Sequence, residues 1–138
     1  MDDKTIWITE LDLRRLRTLI IDAQGTDYRK SVYLQKLGQE LDRAKVVPSQ
    51  EIPATVVTMN SRVALVDLDS MEEETYTLVF PEAADGTGDK ISILAPIGTA
   101  MLGYSVGDTF EWEVPAGMRR LRVERILYQP EAAGDFDL

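Results

Sequence analysis

The sequence has no cysteine and no histidine. Without thiols it can build neither a disulfide framework nor a thiolate metal site, and without imidazole it has no histidine base, proton shuttle or ligand. Ser-His-Asp and Cys-His nucleophilic catalysis and the common zinc sites are thereby excluded, which leaves carboxylates, Lys, Tyr and Ser as reagents. A bound metal would have to be a hard, oxygen-ligated ion such as Mg²⁺. No apolar run of about 18 residues occurs, and the stretch from Met1 to Asp12 starts with charge and reaches no apolar h-region, so a cytoplasmic protein is expected. Basic residues are scarce as well. Fifteen Lys and Arg stand against 24 Asp and Glu, a formal charge of −9. That balance repels a phosphate backbone and removes counterion release, so no direct nucleic-acid binding is expected. It suits basic protein surfaces, or simply keeps the chain soluble.

What is present divides into two parts, and 138 residues with 44% hydrophobic content are enough for one compact domain with a small appendage. After Thr9, the residues Leu13, Leu16, Ile20 and Ala23 recur at spacings of three and four, which predicts a helix that packs on a neighbour. Thr9 with Asp12 three residues on resembles a capped start. Gln24, Gly25 and Thr26 interrupt the rhythm, and from Asp27 it resumes through Leu34, Leu37, Leu41 and Ala44 until Pro48 forbids continuation. Two apolar stripes joined by so short a link imply an antiparallel helical hairpin over 1–47. Helices of about four turns are marginal alone, so the pair must lean on the rest of the protein near Asp42 to Val47. Gly38 lowers helix propensity and is read as a place of close helix approach.

From Pro53 the period changes to two. Val56 to Met59, Arg62 to Leu68, Thr75 to Phe80 and Ile91 to Ala95 read as short strands, the first two as a hairpin over Val56 to Val63. Thr109 to Val114 alternates most clearly, with Phe110, Trp112 and Val114 opposite Glu111 and Glu113; Pro115 to Gly117 turns the chain into Arg119 to Tyr128. Ile97 to Gly103 is predicted as a short helix covering one sheet face. The fold class is α+β: a short helical hairpin, an antiparallel-rich sheet with a short helix over 53–130, and a loose tail over 131–138.

Three features invite chemical readings. The glycines of Ala84 to Asp89 lack the Lys-Ser/Thr and the following helix of a phosphate-binding loop, because Lys90 leads into a strand. Asp22 and Asp27 bracket the helical turn and would together hold a divalent ion at its tip, or serve only as turn and capping residues. Arg14, Arg15 and Arg17 on the first helix, and Arg119, Arg120, Arg122 and Arg125 on the last strand, form solvated faces or an electrostatic match to an acidic partner.

The ordered run ISILAPIGTAMLGYSVGDTFEWEVPAG, Ile91 to Gly117, resembles the C-terminal domain of the Gre transcript-cleavage factors: a strand, Pro96 in a turn, a short helix ending at Leu102 and Gly103, the Gly107-Asp108 turn, and a strand leading to Pro115 to Gly117. The resemblance extends to VVTMNSRV at Val56 to Val63 and YQPEAAGD at Tyr128 to Asp135. It implies an FKBP-like domain that docks on bacterial RNA polymerase at the mouth of its secondary channel, with the helical arm directed inward. Gre factors carry an acidic residue and Ser before the docking Pro, whereas this chain has Leu94, Ala95 and Pro96. The resemblance therefore implies apolar docking through Leu94, Ala95, Pro96 and Ile97. Gre factors also present acids at the tip of a much longer arm; Asp22 and Asp27 match by position and not by motif. So short an arm implies binding and competition with Gre-type factors without stimulated cleavage. The short-armed members of the family also imply a nucleoside diphosphate kinase as regulatory target, reached directly or through transcription. The FKBP-like fold raises prolyl isomerase activity as an enzymatic alternative, although the sequence identifies no aromatic-lined pocket for it. The expectation is a monomeric binding module with no catalytic residue, no cofactor and no metal centre.

Overall fold

Thr9 decides where the first helix begins. In the computed structural model, which describes residues 6–23, 32–84, 89–114 and 117–135, its Oγ1 accepts a hydrogen bond from the Asp12 N–H at 3.0 Å. That is the capping geometry that satisfies an orphan donor of the first turn. Helix α1 runs Glu10–Ala23, and α2 runs Val32–Arg43. The intervening turn, with Asp27, lies outside the described residues.

The arm is not purely helical at its root. Trp7–Thr9 forms strand β1, and Lys45–Val47, expected to belong to the second helix, forms strand β2 in parallel register with it. Pro48 therefore follows a strand and does not stop the helix. The β-branched pair Val46 and Val47 prefers extended backbone, and the Lys45 N–H donates to the Ile6 carbonyl at 2.8 Å. Lys45 Nζ also lies 4.3 Å from the centre of the Trp7 ring.

The main sheet comprises β3 (Arg62–Asp67), β4 (Glu73–Val79), β5 (Lys90–Ser92), β6 (Thr109–Val114) and β7 (Gly117–Tyr128). Its order is β5-β4-β3-β7-β6. Three pairings are antiparallel and β4–β5 is parallel, so the sheet is mixed, with β5 and β6 at its edges. Helix α3, Pro96–Met101, follows β5.

Two expectations fail for local reasons. Val56 to Val63 is not a hairpin. Hydroxyls intercept the backbone there, Ser61 Oγ accepting from the Thr58 N–H at 3.0 Å, and Asn60 takes a φ of 67°. The tail is not loose through Asp135: Pro130–Ala133 forms a helical turn, α4, capped by Gln129 Oε1 accepting from the Ala132 N–H at 3.2 Å.

One core joins the arm to the sheet. Leu16, Leu37 and Leu41 of the helices lie in the same buried cluster as Met59, Leu65, Leu78, Ile93 and Leu121. Removing such side chains from water is the main stabilising term, about 1.5–3 kcal/mol for each large aliphatic one. Gly103 shows how closely the parts approach. It sits at φ +81°, and an added Cβ would fall 2.5 Å from Ile6 Cβ, so the segment leading into β1 lies directly on the exit of α3.

Candidate functional site

The turn before α3 is built by Ser92 and Thr99. Ser92 Oγ accepts from the Leu94 N–H at 3.0 Å, the Ala95 N–H donates to the Ser92 carbonyl at 2.9 Å, and Thr99 Oγ1 donates to the Ile93 carbonyl at 2.7 Å. Pro96 occupies the first turn of α3, where its missing N–H costs nothing. Gly98 lets the helix settle on β5, since a Cβ there would lie 2.3 Å from the Ser92 carbonyl oxygen. Leu94 and Ala95 are half-buried, and Leu94 packs against the core cluster. Ile97 corrects one expectation: only 4% exposed, it is a core residue beneath the turn and offers no surface for contact. The Pro96 side chain lies outside the described residues.

At the far end of α1, Asp22 is exposed. It borders an open groove of about 460 Å³ with Arg14, Arg15, Thr18, Leu19, Phe80 and Glu82. Among the described residues no group of acidic side chains is placed to hold a metal. Asp27, the other expected tip residue, lies outside them.

The cationic faces resolve differently. On β7, Arg119 donates to Asp67 Oδ2 at 3.0 Å and Glu74 Oε1 at 2.6 Å, Arg120 to Asp69 at 2.8 Å, Arg122 to Glu124 at 2.9 Å, and Arg125 to both oxygens of Glu73. The last strand is thus matched by the protein's own acids. On α1, Arg17 meets Asp42 at 2.7 Å across the two helices.

A polar cluster gathers at the root of the arm, where the sequence had marked Asp12 only as the partner of Thr9 in the helix cap. Asp12 is fully buried; one carboxylate oxygen accepts from Arg15 and the other from the Met59 N–H at 3.1 Å. Arg15 also lies 4.9 Å from the centre of the Phe80 ring. Nearby, Thr58 Oγ1 donates to Glu131 Oε1 at 2.8 Å, and Gln129 Nε2 donates to the carbonyls of Pro53 at 2.9 Å and Val56 at 2.7 Å. Burial pushes the Asp12 carboxyl above its ordinary value, against the lowering effect of Arg15 and the Met59 N–H. Burial likewise raises Glu131, with Asp12 adding to the rise. The cluster fastens the arm, the 53–61 segment and the C-terminal turn to one another.

Comparison with known proteins agrees with this layout. Residues 52–128 match the family model described as transcription elongation factor, GreA/GreB, C-term, and residues 4–47 match the Rnk N-terminus. The chain belongs to the Rnk branch of the GreA/GreB family. It is 40% identical over 137 residues to the regulator of nucleoside diphosphate kinase of Escherichia coli strain K12, covering 99% of this chain and 98% of that one. With the transcription elongation factor GreA of Chelativorans sp. it shares 36% identity over 95 residues, 69% of this chain and 60% of that longer one. A solved structure titled prokaryotic transcription elongation factor GreA/GreB, from Nitrosomonas europaea, superposes with a TM-score of 0.77 at 43% identity, covering 90% of this chain and all of that one. These relatives are named as regulators and transcription factors, not as enzymes. Among the described residues no helix is long and apolar enough to cross a membrane.

Proposed function

We propose that this protein binds bacterial RNA polymerase at the entrance of the secondary channel through its C-terminal domain, read as FKBP-like, and competes there with Gre-type factors without stimulating transcript cleavage. The observation that carries this reading is the Gre-type turn from Ser92 to Thr99, held by its own hydrogen bonds, together with an arm whose helices among the described residues have 14 and 12 residues. At 1.5 Å per residue those helices reach about 21 and 18 Å. The arm is read as an antiparallel hairpin with Asp22 and Asp27 at its tip, serving as turn and capping residues. Phosphoryl chemistry at a metal centre tolerates little error in carboxylate placement, so an arm of this reach occupies the channel mouth and leaves the catalytic ion alone. Docking uses apolar contact by Leu94, Ala95 and Pro96 in place of the acid and Ser of Gre factors.

Binding to core polymerase, with a Gre factor as competitor and Pro96→Arg as the altered docking turn, tests the proposal. Saturable binding displaced by the competitor and weakened by the substitution is expected, together with no release of 3′ RNA fragments from backtracked complexes. Absence of binding at micromolar concentration, or stimulated cleavage, overturns it. A second reading has its own support in the name of the full-length relative: direct regulation of a nucleoside diphosphate kinase. Addition of the purified protein to purified kinase separates it, a change in turnover favouring direct contact and an unchanged rate favouring the transcriptional route.

A further inference from the structure

The outer face of the sheet carries a row of side chains with no acid beside it. Arg62 of β3 is the ladder partner of Thr77 on β4, and Thr77 is the partner of Lys90 on β5. Paired residues of neighbouring strands send their side chains to the same face, and the alternation puts Val63, Leu65 and Leu78 on the other face, in the core. Arg62, Thr77 and Lys90 therefore stand side by side away from the core, Arg62 and Lys90 exposed and Thr77 half-buried between them. With neighbouring strands about 4.8 Å apart, the row is about 10 Å wide at the backbone.

The next row on the same face shows a matched cation. It holds Thr75, Ala64 and Arg125, and Arg125 donates to the two oxygens of Glu73 at 2.8 and 2.7 Å. Glu73, Thr75 and Thr77 are alternate residues of β4, so the strand gives Arg125 a carboxylate but sets a hydroxyl between Arg62 and Lys90. Tyr128, the partner of Arg62 on β7, turns its hydroxyl to Asp135. Among the described residues Arg62 and Lys90 form no ion pair, in a chain of net charge −9 where Arg119, Arg120, Arg122 and Arg125 of β7 each form one. A guanidinium, a hydroxyl and an ammonium thus fill one strip with hydrogen-bond donors and leave it without a charged acceptor. A lysine on an edge strand discourages unwanted pairing, which accounts for Lys90 but not for Arg62 two strands further in.

We propose that this row receives two carboxylates of an acidic segment on a partner protein, one at Arg62 and one at Lys90, with the Thr77 hydroxyl donating between them. Glutamates two apart in an extended segment are spaced by about 7 Å, which the two long cationic side chains can span. At physiological salt charges act over about 8 Å, so a short segment feels the row more than the acidic remainder of the surface. A nucleic acid does not fit, because its closely spaced phosphates run on over that remainder and are repelled. A basic segment finds no acceptor in the strip.

The test titrates the isotopically labelled full chain with acetyl-Ser-Glu-Val-Glu-Ser amide at physiological salt and follows the amide shifts. Saturable shifts centred on Arg62, Thr77 and Lys90 are expected, and none with the peptide in which both Glu are Gln. Arg62→Gln combined with Lys90→Gln, at exposed positions and checked for folding by circular dichroism, should weaken the peptide about tenfold. Arg120→Gln combined with Arg122→Gln removes the same charge outside the row and should change affinity by less than about twofold. Decathymidylate should not bind. Undiminished binding by the Arg62 and Lys90 variant, an equal loss in the Arg120 and Arg122 variant, equal binding of the Gln peptide or of decathymidylate, shifts located elsewhere, or no saturation at tens of millimolar peptide each overturns the proposal.

Discussion

The two ends of helix α1 occupy opposite physical regimes. At its start, Thr9 and Asp12 are fully buried and hydrogen-bonded, and Leu16 one turn further on is wholly enclosed. At its finish, Ile21 is 69% exposed and Asp22 is exposed beside an open groove. The same element thus serves as a fixed root and as a protruding surface, and the sequence spends its specific contacts on the root. A structure built this way tolerates change at the tip and resists it at the base.

The sharpest way to break the contrast is at the root. Leu16→Ala removes a fully buried side chain shared by arm and sheet and should cost about 2–5 kcal/mol, read from urea unfolding, whereas Ile21→Ala should stay within about 0.5 kcal/mol. Equal effects would mean that arm and sheet unfold as separate units. Asp12→Ala takes the acceptor from the buried Met59 N–H and the partner from Arg15, at an expected cost of about 2–4 kcal/mol. Arg119→Ala, which opens ion pairs to Asp67 and Glu74 that are partly solvated, should cost about 1 kcal/mol or less. Asp22→Ala should leave the unfolding midpoint unchanged.

Acidity sharpens the same comparison. Burial raises the folded-state values of Asp12 and Glu131 above 3.8 and 4.5, so the folded protein holds those protons more tightly than the unfolded chain. Their contribution is greatest below the unfolded values and shrinks as pH rises through the folded ones. Asp67 runs the other way. Backbone N–H donors from Asp69 and Ser70 hold it below 3.8, so its contribution is present above that value and is lost as pH falls through the folded one. Glu131→Gln keeps an oxygen for Thr58 and removes one protonation step. The variant should therefore gain stability relative to the parent at about pH 7 compared with about pH 4.5, in paired urea titrations. A difference that does not change with pH would show that Glu131 titrates alike in the folded and unfolded chains.

Periodicity made the strands from Arg62 onward and both arm helices legible, because each buries one face and repeats accordingly, and α3 was legible as a short apolar stretch between Pro96 and Gly103. At the root of the arm only the Thr9 cap was legible, and the strands there were not. Three-residue strands such as β1 and β2 are too short to show a period, and their pairing spans 38 positions of sequence, Trp7 to Lys45. The segments that carry Thr58, Gln129 and Glu131 stood out only by resemblance, and their cluster was not legible, since these polar residues meet only in three dimensions. Ile97 illustrates a related limit: a motif places a residue in a turn, but only packing tells whether its side chain points out or in.

The shared core also sets an order of events during synthesis. Leu16 leaves the ribosome about 100 residues before Leu121, an interval of roughly 5–20 s at the usual pace of translation. Through that interval the core that Leu16, Leu37 and Leu41 share with the sheet lacks Leu121 and Val123 of β7, and α1 and α2 are short helices on an unfinished base. The part of the molecule made first is therefore the part that acquires its final footing last.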